Sequence, residues 1–208
     1  AEVRIERNQG TAISFRGAEL DNISSSSSLG GVARAFVKGG WGIVTFNDID
    51  NVKSYLKEAV TCARLVGKEK SRLAETSPID KVVPPPKMER DFRGVDLSEK
   101  KAVIERYNKI ILESDPKIRT TQTGYRDRYR EVYFANSEGS YFEETRPDVV
   151  VHMGAVARDG NLVQQGVESV GRAAGFEAAL GAEKKCETAA QRAVRRQDCL
   201  HPVRLVFE

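Results

Sequence analysis

His152 and His201 are the two imidazoles of this 208-residue sequence, and Cys62, Cys186 and Cys199 are its three thiols. A metal centre or a nucleophile–base pair would have to draw on these side chains. Neither histidine has a glutamate and a second histidine beside it at helical spacing. The paired imidazoles and general base of metal-assisted peptide hydrolysis therefore cannot be assembled from them. Cys199-Leu-His201 offers two soft ligands, too few for a tetrahedral zinc site, and a catalytic cysteine–histidine pair ordinarily comes from separate elements. His152, inside Val150-Val-His-Met-Gly154, reads as a strand residue hydrogen-bonded to a neighbour or to water. The expectation is a chain with no catalytic residue, no cofactor-binding residue and no metal ligand of its own.

Gly30-Gly31 would suit a phosphate cradle only if a Gly-Lys-Ser/Thr ending and a helix followed; a strand-forming run follows instead. Arg119, Arg126, Arg128 and Arg130 interleave with Tyr125, Tyr129 and Tyr133, a pattern that can stack bases. Asp127 and Glu131 interrupt it, and alternating charge on a solvated strand face accounts for the same residues. Trp41, between Gly40 and Gly42, is read as core packing at a hairpin end. The competing role is an aromatic surface beside accessible backbone, which suits capture of an extended peptide.

Lys and Arg total 33 against 30 Asp and Glu, a net charge of +3 with both signs mixed along the chain, which argues against a nucleic-acid partner. Hydrophobic residues at 40% and charged residues at 30% exclude a disordered tail or a fibrous repeat. No apolar run reaches the ~20 residues of a spanning helix. The start Ala1-Glu-Val-Arg4 lacks a signal-peptide core, so no membrane partner is expected. Widely separated cysteines, odd in number and without CxxC spacing, point to reduced thiols in the cytoplasm.

Periodicity supplies the elements that must position these residues. Segments 2–7 and 12–16 alternate polar and apolar residues on either side of Gly10 and read as two strands joined by a hairpin. Ser24 to Ser28 is strand edge or loop. Segments 30–38 and 41–46 form the best-marked hairpin, turning at Gly39-Gly40, since glycines admit positive φ. Asn47 and Asp48 start a helix whose Ile49, Val52, Leu56, Ala59, Ala63 and Val66 recur at steps of three and four, with Gly67 as its stop. Pro78, Pro84, Pro85 and Pro86 make 69–96 a long connector. A second amphipathic helix starts near Asp96, with Glu99 at capping-box spacing and Ile104, Tyr107 and Ile111 on one face. Strands are expected at 117–123, 128–135, 141–145, 149–157 and 161–170. Turns fall at 136–139 and at Asp159-Gly160, and a short helix at 182–196 carries Lys184, Lys185, Arg192, Arg195 and Arg196 on its exposed face. The expected fold is α+β: an antiparallel sheet with two amphipathic helices packed on one face, plus a short C-terminal helix.

Two stretches carry a resemblance: Gly30-Gly-Val-Ala-Arg-Ala-Phe-Val-Lys-Gly-Gly-Trp-Gly-Ile-Val-Thr-Phe-Asn-Asp48 and Asn136-Ser-Glu-Gly139. Together they resemble the N-terminal domain of the TldD/PmbA family, zinc metallopeptidase-related proteins also called modulators of DNA gyrase. Arg34, Trp41, Gly42 and Asn47 fall at motif positions in the first stretch, Asn136 and Gly139 in the second, and all six are read as structural. The resemblance covers 1–196 as one α+β domain including the connector 69–96, and 197–208 is a divergent tail.

The resemblance implies a two-domain peptidase whose other half carries an HExxxH helix and a downstream cysteine as zinc ligands. Zinc therefore belongs to the full-length family, and no zinc site is carried over here. The chain is expected to be a fragment, whether a natural truncation, a product of a reading frame disturbed near Gln197 or a cloned piece, cytoplasmic and inactive alone. It would help form a dimer and wall the cleft that admits peptide. The implied partners are an unfolded or extended peptide and a TldD/PmbA-like protein in a homo- or hetero-dimer. The alternative is a stand-alone peptide- or protein-binding module without chemistry.

Overall fold

The computed structural model describes residues 1–198. The expectations placed on Cys199, His201 and the rest of the tail from 199 lie outside the described residues. Strands β1 (Glu2–Arg16), β2 (Glu19–Val37) and β3 (Gly40–Phe46) precede helix α1 (Val52–Val66). A short strand β4 (Asp80–Val83) and helix α2 (Leu97–Glu113) follow. Strands β5 (Ile118–Asn136), β6 (Tyr141–Asp159) and β7 (Leu162–Arg172) and helix α3 (Glu183–Asp198) complete the order. The strands pair in the order β3-β2-β1-β5-β6-β4, with β7 on β6, and β4 against β6 is parallel. This is the α+β fold expected from periodicity, though α3, at 16 residues, is no shorter than α1, at 15. Among the described residues no helix is long and apolar enough to cross a membrane.

Two compact units share the long strands. The first comprises Ala1–Gln9, Ser26–Pro86 and Tyr129–Pro147. Its core is Ala33, Ala35, Phe46, Ala59 and Ala63, with Val3, Ile5, Val37, Val44, Leu56 and Val60 packed around them. Period-two alternation explains the sidedness. Val37, Ala35 and Ala33 pair with Gly40, Gly42 and Val44 on the face that meets α1, so Arg34, Phe36, Trp41 and Ile43 share the opposite, open face. Helix α1 rests on bare main chain: a Cβ at Gly42 would lie 1.9 Å from the Ala59 carbonyl oxygen and 2.6 Å from the Ala63 nitrogen.

The second unit comprises Gly10–Ser25, Lys87–Arg128 and the chain from Asp148 onward. Phe92, Ile104, Tyr107, Ile111, Met153 and Phe176 are buried in it. Each such side chain contributes roughly 1.5–3 kcal/mol relative to exposure. The seat under α3 repeats the one under α1: a Cβ at Gly166 of β7 would lie 2.0 Å from the Ala189 carbonyl oxygen and 2.6 Å from the Ala193 nitrogen. Tyr107 fixes the approach to α3, its hydroxyl donating to the Ala179 carbonyl at 2.9 Å and accepting from the Ala182 N–H at 3.2 Å.

Several local expectations are corrected. No hairpin forms at Gly10; β1 runs straight through it, because a Cβ there would meet the Asp127 carbonyl at 2.5 Å and glycine serves a close strand approach. The turn between β2 and β3 is Lys38-Gly39, at φ 48° and 82°, and Gly40 is already in the strand opposite Val37. The pairs of strands expected at 117–123 with 128–135, and at 141–145 with 149–157, are each one continuous strand. The connector contains β4 and a 3-10 turn at Phe92–Gly94. Helix α1 starts at Val52, while Asp48 closes the preceding turn by accepting from the Asp50 N–H at 2.9 Å and the Asn51 amide at 2.8 Å. Those donors, the Asp50 N–H foremost, hold the Asp48 carboxyl below its usual range. Glu99 makes no capping box; it grips Arg90 through two bonds of 2.7 and 2.6 Å.

Candidate functional site

Three of the six motif residues, Arg34, Trp41 and Asn136, line one cavity of about 200 Å³ in the first unit, although Asn136 lies far away in sequence. Glu2, Phe36, Leu73, Ala74, Thr76 and Glu138 line it with them. Trp41 is 44% exposed, so the expected core packing at the hairpin end is wrong. Both glycine neighbours lie against α1, and strand alternation turns the indole outward. The indole leans on Phe36, with ring centroids 5.1 Å apart and planes tilted by 52°, and the Arg34 guanidinium carbon stands 5.8 Å from its ring centre. Arg34 Nε donates to Glu2 Oε1 at 2.6 Å and a second guanidinium nitrogen reaches the same oxygen. The result is an aromatic surface bordered by an ion pair on β3, a strand at the end of the sheet order.

Asn136 holds the adjoining turn. Its Oδ1 accepts from the N–H groups of Glu138 at 3.1 Å and Ser140 at 2.8 Å, and Gly139 takes φ 88°, a conformation that favours glycine. Gly42 lies on the other face, under α1, and Asn47 is exposed just beyond β3. Sequence reading missed Glu2, Phe36, Leu73 and Glu138 as neighbours of this cavity. Alternation places Phe36 beside Trp41, but nothing local tells which strand supplies Glu2.

A polar cluster in the second unit has a different character. Lys100 Nζ lies 2.6 Å from Asp127 Oδ2 and donates to Thr11 Oγ1 at 3.2 Å. Asp127 also accepts from the Tyr125 hydroxyl at 2.7 Å and the Thr11 N–H at 2.8 Å. Asp127 is therefore buried and paired, correcting its reading as part of a solvated strand face, and Tyr125, which donates to it, is buried as well. Burial first, then the Asp127 charge, drives the Tyr125 phenol far above its usual range. Asp127 is enclosed by donors, which is the design of a structural pair. His152 lines a separate hollow of about 300 Å³ with Ser14, Asn22 and Arg126.

The chain matches the model described as the PmbA/TldA metallopeptidase central domain over residues 90–197 and that of PmbA/TldA metallopeptidase domain 1 over residues 1–63. It belongs to the TldD/PmbA metallopeptidase family. Metalloprotease slr0863 of Synechocystis sp. is 34% identical over 193 residues, covering 93% of this chain and 42% of that protein. A Thermotoga maritima protein described as a candidate modulator of DNA gyrase matches in structure with a TM-score of 0.77 at 15% identity, over 93% of this chain and 43% of the other. TldE from Thermococcus kodakarensis matches with a TM-score of 0.75 at 16% identity, over 95% and 43%. The chain thus spans about two fifths of the length of these relatives.

The metallopeptidase name implies zinc, and the described residues do not fit it. His152 is their single imidazole, Cys62 and Cys186 lie in different units, and no three His, Cys, Asp or Glu side chains converge among them. Burial, then the nearby Glu183 charge, pushes the Cys186 thiol up to about 12, away from the thiolate form a metal requires. No hydrolytic step follows from these residues.

Proposed function

We propose that this chain is the non-catalytic N-terminal portion of a TldD/PmbA-like metallopeptidase, and that it captures an extended peptide at the wall of the access cleft. The observation that carries this reading is Trp41, exposed on edge strand β3 with Phe36 and Arg34 beside it. An edge strand offers unpaired backbone groups to an added strand, and a neighbouring aromatic surface supplies a contact for its side chains. Dimerisation with a TldD/PmbA-like protein, identical or paralogous, and a cytoplasmic setting belong to the same reading; the free Cys62 and Cys186 support the latter.

Trp41 is the sole tryptophan, so its fluorescence reports on the site directly. Unfolded-protein peptides titrated into the purified chain are expected to shift its emission, and Trp41→Ala, which removes the fluorophore and is followed by calorimetry, to weaken binding by ~30-fold or more, the scale of an aromatic hot spot. Sedimentation across a concentration series tests the dimer. Retention of stoichiometric zinc through dialysis together with peptide cleavage by the isolated chain contradicts the non-catalytic assignment.

A further inference from the structure

Residues 69–79, the first part of the connector, are fastened at both ends beside the Trp41 cavity. At one end the Glu69 N–H donates to the Lys38 carbonyl in the β2–β3 turn at 2.9 Å. At the other, the Ile79 N–H donates to Ser140 Oγ at 3.1 Å, and the Ile79 carbonyl accepts from the Tyr141 N–H at 2.6 Å. Between these ends Leu73, Ala74 and Thr76 line the cavity facing Arg34, Trp41 and Asn136. Thr76 reaches Glu138 at 3.5 Å, the limit of a hydrogen bond, and every residue from 70 to 78 is exposed, Leu73 at 47%. A segment anchored at its ends and shallowly buried between them opens at low free-energy cost. The remaining 200 Å³ holds about one side chain and falls below the ~300 Å³ at which ligand clefts begin.

We propose that residues 70–76 form a displaceable strap that keeps the Trp41 groove closed, and that the groove's ligand is an extended peptide presenting an aliphatic side chain where Leu73 now sits. This rests on the peptide-capture reading and adds its regulation and ligand class. The strap is itself a stretch outside any helix or strand that carries one large aliphatic residue, Leu73, among small, polar and charged ones, so the chain supplies an image of its own ligand. Binding is then weakened by closure: the apparent Kd is the intrinsic Kd divided by the fraction of time the strap is open.

The test uses the acetylated, amidated peptide of residues 73–78, which contains no lysine or arginine, with Trp41 emission as readout. Leu73→Ser, at an exposed position whose folding is checked by circular dichroism, is expected to bind this peptide ~10-fold more tightly than the unaltered chain, as removal of a competing closed state requires. Peptide binding is also expected to speed tryptic cleavage at Lys70 and Arg72. Equal affinity in both chains with unchanged cleavage overturns the strap and leaves peptide capture standing. Failure of both chains to bind this and unfolded-protein peptides overturns both.

Discussion

Lys100 and Asp127 form an ion pair of 2.6 Å with side chains only 4% and 2% exposed, at the meeting of α2 with β5. Removing one partner strands the other charge in a medium that cannot solvate it. Lys100→Met and Asp127→Leu are each expected to lower unfolding free energy by ~3–5 kcal/mol, and the double variant to recover a large part of it. Urea titrations of the four proteins check this; additive losses overturn it.

Gly42→Ala places a methyl group 1.9 Å from the Ala59 carbonyl oxygen, which belongs to helix backbone and cannot rotate away. A loss of at least ~1–3 kcal/mol is expected, the cost of forced overpacking. Gly166→Ala, facing Ala189 at 2.0 Å, is expected to behave alike. An unaltered denaturation midpoint in either variant contradicts the main-chain seat.

Cys186 is expected to resist thiol reagents in the native protein, since burial and the Glu183 charge hold its ionisation near 12. Its folded value is raised, so its contribution to stability is complete below the ordinary thiol range near pH ~8.5 and declines as pH rises toward 12. In a Cys199→Ser background, Ellman titration at pH 8 should count Cys62 alone until denaturant is added. Rapid modification of two thiols in the native chain overturns this.

Glu177 binds its loop through backbone. Burial opposes its charge, but N–H groups of Glu177, Gly175, Arg90 and Glu89 outweigh that and hold its carboxyl below the usual range. A lowered folded value means stability that is present above the ordinary carboxylate range and lost as pH falls through the folded value. Glu177→Gln should therefore flatten the fall in Tm on the acid side of about pH 4. Melting curves from pH 7 to 3 compare the slopes.

Sequence reading recovers the hairpin of β2 and β3, both amphipathic helices and the turn at 136–139, because each is written in local periodicity and turn chemistry, whereas the β6–β7 turn is Gly160-Asn161, one residue beyond the expected Asp159-Gly160, since Asp159 still pairs with Leu162 in the ladder. It failed where a residue answers to a distant neighbour. Gly10 resembles a turn glycine yet serves a strand facing Asp127, Glu99 has capping-box spacing yet is taken by Arg90, and Asp127 resembles a surface charge because Lys100 is remote in sequence. Of the candidate site, Arg34, Trp41 and Asn136 stand at motif positions, but nothing local in the sequence shows that they converge. The outward turn of Trp41 depends on α1 occupying the other side of β3.

The glycine under each helix also bears on how such a chain can drift over generations. Side chains between two elements can exchange bulk with one another and keep their sum. A carbonyl pressed against a bare Cα has nothing to trade. Substitutions are therefore expected to accumulate around the rims of α1 and α3, while Gly42 with Ala59 and Ala63, and Gly166 with Ala189 and Ala193, stay frozen as sets.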